Sequence, residues 1–156
     1  MFDYFAYGSN MLRQRLEARV GSVVLIGTAR LDGYGHSFSK LGRDGTGKGN
    51  ILPAPGQVVH GVVYRLTGEQ IISLRRFEGG YEQFSLSVIL HEQGERTPQK
   101  GLNVQVESFR AIRPVQPLRP TREYVAYYER GMREHRLPGE YARLIHNQAR
   151  LLWGVD

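Results

Sequence analysis

The spacing of hydrophobic positions changes several times along the chain. Residues 2–7, FDYFAY, are a short aromatic-rich run and predict a buried strand. Leu12, Leu16 and Val20 then recur at intervals of four. That spacing predicts a helix over 9–20, with Ser9 or Asn10 as N-cap and Gly21 just past its end. SVVLIGTARL (22–31) and VVHGVVYRL (58–66) predict two further strands. TGEQIISLRRFEGG (67–80) predicts a short helix, opened by a Thr67/Gln70 capping box and closed by Gly79. After it the period falls to two: Phe84, Leu86, Val88 and Leu90 share one face of a strand, and LNVQVESF (102–109) alternates likewise. Thr121 opens a helix that runs to about Arg136. Pro138 breaks it, and a last helix sets Tyr141, Leu144, Ile145 and Leu152 on one side.

Strands crowd the middle and helices the end, without the regular alternation of a doubly wound sheet. The pattern predicts an α+β domain with a mostly antiparallel or mixed sheet, closed as a barrel. The chain has 156 residues and neither internal repeat nor linker, so a single domain over 1–156 is expected. No apolar run approaches the ~20 residues that cross a bilayer. The opening Met1-Phe2-Asp3 has no basic region ahead of an apolar stretch, so neither membrane association nor a signal peptide is expected, and the cytoplasm is the expected location. The absence of cysteine excludes disulfides, thiol catalysis and cysteine-zinc sites.

The net charge of +6 is carried mainly by arginine and is spread along the chain. No helix concentrates it, so a nucleic-acid partner is not expected. Its densest stretch, RPVQPLRPTR (113–122), is interrupted by Pro114, Pro117 and Pro120 and reads as an extended connector.

GRDGTGKG (42–49) approaches a phosphate-binding loop, but Gly49 stands where Ser or Thr would hold magnesium. Pro53 and Pro55 follow in place of a helix, so a glycine-rich loop between strands is the better reading. Histidines 36, 60, 91, 135 and 146 make no pair at metal-ligand spacing, and no metal site is expected. Ser9 lacks the glycine two residues on that a nucleophile elbow needs; Met11 is there instead.

Two stretches carry candidate chemistry. In YFAYGSNM (4–11) an aromatic strand ends at Gly8 and turns into a helix start. Such a junction exposes backbone N–H groups that suit an anion or a carbonyl oxygen. The plainer alternative is that Gly8 makes the turn and Ser9 caps the helix. In LRRFEGGY (74–81), Glu78 ends a helix, where the dipole disfavours its charge. If partly buried it has a raised pKa and serves as a proton shuttle; otherwise it is a solvated side chain beside Arg75 or Arg76.

These two motifs, about 70 residues apart, and the tail PTREYVAYYERGMREHRLPGEYARLI resemble the gamma-glutamylcyclotransferase (AIG2-like) family over nearly the whole chain. The tail is similar to the gamma-glutamylcyclotransferase branch proper, and the opening loop less so to the glutathione-specific branch. The resemblance implies a small closed mixed β-barrel with flanking helices. It implies an enzyme that converts a γ-glutamyl amide, such as a γ-glutamyl-amino acid, to 5-oxoproline and the free amine. No cofactor or metal is implied; the partner is the small-molecule γ-glutamyl substrate, and a homodimer is the expected assembly. Residue by residue, Glu78 matches the acid/base glutamate. Tyr4, Phe5, Ala6, Tyr7, Gly8, Ser9 and Asn10 match the substrate-binding loop, and Tyr81 and Tyr124 match tyrosines that line the pocket. Arg75 stands where relatives often carry Asp, the segment from Glu78 to Tyr81 is short, and Phe109 replaces a further tyrosine. Beside this stand a relative acting on γ-glutamylamines or a biosynthetic intermediate, and a non-catalytic regulator that binds a small molecule. The presence of Glu78 weighs against the regulator.

Overall fold

Among the described residues, five strands build a sheet that closes on itself. The computed structural model describes residues 1–92 and 101–154. Its strands are β1 (Phe2–Ala6), β2 (Val24–Leu41), β3 (Gly47–Leu66), β4 (Tyr81–Glu92) and β5 (Leu102–Ala111). They form a closed barrel in the order β1-β3-β2-β4-β5. Neighbours pair antiparallel, except where Tyr4 of β1 meets Glu107 of β5 in parallel and closes the ring. The helices are α1 (Arg13–Val20), α2 (Gly68–Phe77), α3 (Arg122–Glu134) and α4 (Gly139–Trp153). None of the described helices is long and apolar enough to cross a membrane.

The expected strands at 22–31 and 58–66 are the inner parts of one long β2–β3 hairpin. Its outer half has lost simple alternation, because register shifts at Asp32/Tyr34 and Ser37/Lys40 interrupt the pairing. Even Pro53 lies in the ladder, opposite Tyr34. The glycine-rich stretch is the turn of this hairpin together with the first residues of β3. Asp44 shapes the turn by accepting from the Thr46 amide at 2.9 Å and its hydroxyl at 2.6 Å. Gly45, at φ +82°, takes the left-handed position there.

The connector after β5 is extended and tied to the hairpin: Val115 and Leu118 donate to the Ser39 and Phe38 carbonyls, and the Gly47 amide to the Arg119 carbonyl. Thr121 caps α3 by accepting from the Tyr124 amide at 3.0 Å. The Thr67/Gln70 capping box of α2 is formed from both sides. That helix ends at Phe77 with Glu78 as C-cap, and Gly80 rather than Gly79 holds the positive φ. On α4 the buried positions are Tyr141, Ile145 and Ala149, whereas Leu144 is exposed.

Buried side chains fall into two clusters. Inside the barrel Phe5, Leu31, Val59, Val63, Val88 and Leu90 pack together. Between the barrel and its helices lies a second cluster that includes Tyr4, Met11, Leu16, Tyr64, Tyr124 and Tyr128.

Candidate active site

β1 splits its side chains between the two clusters. Tyr4 and Ala6 face the helix side and Phe5 faces the barrel interior. The chain then turns at Gly8, where a Cβ would lie 3.2 Å from the Tyr128 hydroxyl. A helix from Ser9 does not follow. Ser9–Met11 is a single 3-10 turn, Leu12 is extended, and α1 starts at Arg13. Neither Ser9 nor Asn10 caps α1, because both side chains are engaged elsewhere. Ser9 Oγ accepts from Arg15 Nε at 2.9 Å. Asn10 Oδ1 accepts from Arg19 at 3.3 Å, and Asn10 Nδ2 donates to the Tyr4 hydroxyl at 3.1 Å and to Glu78 Oε1 at 3.3 Å. The amides of Met11 and Leu12 bond back to the Gly8 and Ser9 carbonyls, so the N–H groups of Gly8, Ser9 and Asn10 head the turn.

The Asn10–Glu78 bond joins the two motifs across 68 residues of sequence, at the wall of a cavity of about 380 Å³. Tyr4, Tyr7, Gly8, Ser9, Asn10, Glu78, Tyr81 and Tyr124 all line it. Phe5 and Ala6 do not: Phe5 points into the barrel, as strand alternation requires, and Ala6 is covered by the second cluster. Arg75 is turned away, bonding Gln83 Oε1 at 2.7 Å, while Arg76 lines the cavity. Glu78 therefore faces inward rather than pairing with Arg75 in solvent. Phe109 also lines the space, and its carbonyl accepts from the Tyr7 hydroxyl.

Burial raises the Glu78 pKa to about 7; Arg19, Lys40, Arg15 and the Asn10 bond oppose this only in part. The surrounding tyrosines are pushed in the same direction, away from neutrality. Burial raises Tyr4, Tyr7, Tyr81 and Tyr124, so they stay protonated and act only through hydrogen bonds. Within the site, Glu78 is thus the carboxyl group poised to change protonation near neutral pH.

Several contributors were not singled out in the sequence. The Tyr81 hydroxyl donates to the Gly49 carbonyl at 2.6 Å, and the Gly49 amide donates to the Tyr124 hydroxyl at 2.9 Å. Gly49 must be glycine here, since a Cβ would fall 1.9 Å from the Tyr128 hydroxyl. That hydroxyl meets His36 Nε2 at 2.8 Å, and His36 Nδ1 meets Gln148 Oε1 at 2.8 Å. Gln148 donates its amide nitrogen to the His36 carbonyl, so its oxygen accepts and Nδ1 carries the proton. Nε2 then accepts from Tyr128. Burial lowers the His36 pKa to about 4, which keeps the ring neutral in this role. Basic side chains from α1, the hairpin and α2 complete the lining. Arg15 and Arg19 are four residues apart on one side of α1, next to Leu12 and Leu16, and that spacing was the available signal.

Comparison with known proteins points one way. A sequence profile described as "Gamma-glutamyl cyclotransferase, AIG2-like" matches residues 4–143. A Mus musculus protein named Gamma-glutamylcyclotransferase is 32% identical over 149 residues, covering 90% of this chain and 74% of the relative. A Homo sapiens protein of the same name is 31% identical with the same coverage. A solved structure titled "Gamma-glutamyl cyclotransferase" superimposes with a TM-score of 0.82 at 26% identity, over 93% of this chain and 86% of that one.

Proposed function

The chain belongs to the gamma-glutamyl cyclotransferase, AIG2-like family of enzymes, and from that premise we propose that it converts a γ-glutamyl amide to 5-oxoproline and a free amine, with Glu78 as general acid and base. The observation that carries this reading is the inward-facing Glu78, bonded to Asn10 of the opening loop and titrating near neutrality.

The chemistry needs such a group. The α-amine of a γ-glutamyl amide is placed to attack its own γ-carbonyl and close a five-membered ring. Holding the reactive conformer supplies much of the rate, because the reaction is intramolecular. At neutral pH the amine is an ammonium ion, so a base must first remove its proton. Glu78 takes that proton, the nitrogen adds to the γ-carbonyl carbon, and the amide C–N bond then breaks. The proton held on Glu78 passes to the departing nitrogen, and the restored carboxylate takes the second proton that the ring nitrogen sheds and hands it to the freed amine, which leaves as an ammonium ion. Charge that develops on the γ-carbonyl oxygen calls for N–H donors, which the Gly8-Ser9-Asn10 turn offers. Arg15 and Arg19, bonded to the Ser9 and Asn10 side chains, offer counter-charge for the substrate's α-carboxylate.

The test is 5-oxoproline release from a panel of γ-glutamyl-amino acids, γ-glutamyl-amines and glutathione. Release from one class with saturable kinetics, lost in Glu78→Gln, is the expected result. Absence of release from every member, with the protein folded, overturns the assignment.

A further inference from the structure

The cavity carries more positive charge than the proposed reaction uses. Its lining includes Arg15, Arg19, Lys40, Arg43, Lys48 and Arg76 against two carboxylates, Asp44 and Glu78. Arg15 and Arg19 lie on α1 and bond the opening loop. The remainder lie on the other side, chiefly on the β2–β3 hairpin: Lys40 near the end of β2, Arg43 in the turn, and Lys48 at the start of β3.

The hairpin leans onto the turn that holds Glu78. The Arg43 guanidinium lies 3.5 Å from where a Cβ on Gly79 would be, and Lys40 Nζ 3.0 Å from where one on Gly80 would be. Lys40 also sits over the Tyr81 ring at 4.9 Å, and Lys48 over the Tyr124 ring at 4.6 Å. Asp44 offsets little of this charge. It already accepts two bonds from Thr46, and its contact with Lys48 is 3.4 Å. Lys40 and Arg43 have no carboxylate within salt-bridge distance among the described residues. The crowding has an electrostatic trace: the Lys40 ammonium is held below its ordinary value by burial first, Glu78 opposes this, and Lys48 and Arg43 add to it. Like charges gathered at a cavity cost stability unless an anion joins them.

We propose that the β2–β3 hairpin forms an anion subsite for the leaving-amine side of the substrate. Lys40 and Arg43, with Lys48, then select γ-glutamyl compounds whose leaving amine bears an acidic side chain. The inference rests on the proposed cyclotransferase reading. A leaving amino acid with a neutral side chain brings one carboxylate to these cations, and an acidic one brings two. An amine without a carboxylate brings none.

The probe is a near-isosteric pair, γ-glutamyl-glutamate and γ-glutamyl-glutamine, which differ by one charge. The wild-type protein is expected to process the first with about tenfold higher kcat/KM, the scale of one charge-assisted hydrogen bond. The preference should shrink as salt rises, since Arg43 is exposed. Arg43→Gln should reduce the ratio, and Arg43→Glu should invert it; both substitutions fall in an exposed turn, and thermal melts check folding. A wild-type ratio within about twofold of one, or a ratio that survives Arg43→Glu, overturns the subsite while 5-oxoproline release from either dipeptide leaves the cyclotransferase reading standing. No release from either dipeptide, or from the wider panel, overturns both.

Discussion

Inside the barrel, Phe5, Leu31, Val59, Val63, Val88 and Leu90 form a mainly aliphatic cluster, whereas between barrel and helices Tyr4, Tyr64, Tyr124 and Tyr128 bury hydroxyls along with their rings. The first region needs only shape. The second must also find partners for these four hydroxyls, because an unpaired buried polar group is costly. Each has one: Tyr4 accepts from Asn10, Tyr64 donates to the Met11 carbonyl, Tyr124 accepts from the Gly49 amide, and Tyr128 donates to His36. These bonds fix the backbone at the opening loop and at Gly49, the two sides between which Glu78 sits. The barrel cluster holds the sheet closed, while the aromatic cluster holds the site in register. Stability and activity should therefore respond to different substitutions.

The sharpest way to break this contrast is to exchange one residue in each region. Glu78→Gln keeps the shape and hydrogen-bonding capacity of the side chain but cannot accept a proton near neutral pH. General acid–base assistance is worth about 10²–10⁴-fold, and one group serving two transfers should fall near the top of that range. The expected loss in kcat is about 5 kcal/mol of barrier, with the fold intact. A folded Glu78→Gln protein that keeps a tenth of its 5-oxoproline release rules Glu78 out as the base.

Leu31→Ala in the barrel should do the reverse. Deleting a buried leucine side chain costs about 2–5 kcal/mol of stability, read by denaturant unfolding. At a temperature where the variant is still folded, kcat/KM should match wild type. A large loss of activity in the folded variant would mean that the barrel core also positions the site.

The pH dependence sharpens the contrast further, because Glu78 should appear in both activity and stability. Catalysis requires the carboxylate, so kcat/KM should rise tenfold per pH unit on the acid side and level off above about 7. In stability the sign is opposite. The folded pKa is raised from 4.5 to about 7, so the native state holds its proton more tightly than the unfolded chain. This contribution is fully present below about 4.5 and is lost as pH rises through about 7. Across that window wild type should lose about 3 kcal/mol relative to Glu78→Gln, at 1.36 kcal/mol per pKa unit. Taking the difference from the variant cancels His36, whose lowered pKa acts in both proteins. Parallel stability curves for the two would show that Glu78 is not desolvated in solution.

How much of this was legible in sequence also differs between the regions. The barrel strands with clean alternation, β4 and β5, and the caps at Thr67 and Thr121 followed from local pattern, because burial on one face and a local hydrogen bond each leave a short-range mark. The outer half of the β2–β3 hairpin did not, since bulges and glycines erase the period of two while long-range pairing preserves the ladder. Asn10 and Glu78 were placed in one site through family resemblance; nothing within either stretch announces their contact. The reading of Ser9 or Asn10 as an N-cap failed because Arg15 and Arg19 draw both side chains away from the helix start. Gly49 was discounted as a failed phosphate-loop position, yet its lack of a side chain admits the Tyr128 hydroxyl.

The smallest expected effect tests whether a hydroxyl in the aromatic cluster serves structure, substrate or both. Tyr124 lines the cavity and is almost fully buried, with Tyr128 beside it, whereas Tyr127 lies at the surface under Arg15. Its hydroxyl accepts from the Gly49 amide, so Tyr124→Phe removes one bond and leaves that buried N–H without an acceptor. The ring remains and no cavity opens, so packing is largely kept. The cost should be about 1–2 kcal/mol, more than for a hydroxyl facing water, because the partner stays buried and unpaired. Gly49 keeps its other anchor, the Tyr81 hydroxyl on its carbonyl, so the hairpin should hold its place against the cavity. If Tyr124 acts only by fixing Gly49, melting should shift while kcat/KM falls by about the factor that one misplaced hydrogen bond gives, no more than tenfold. If the hydroxyl also contacts substrate, KM should rise further while stability changes by the same amount. Measuring both on Tyr124→Phe and Tyr81→Phe separates the roles, since each removes one of the two bonds on Gly49. Equal losses in activity from unequal losses in stability would place the substrate, rather than the Gly49 backbone, at the end of that hydroxyl.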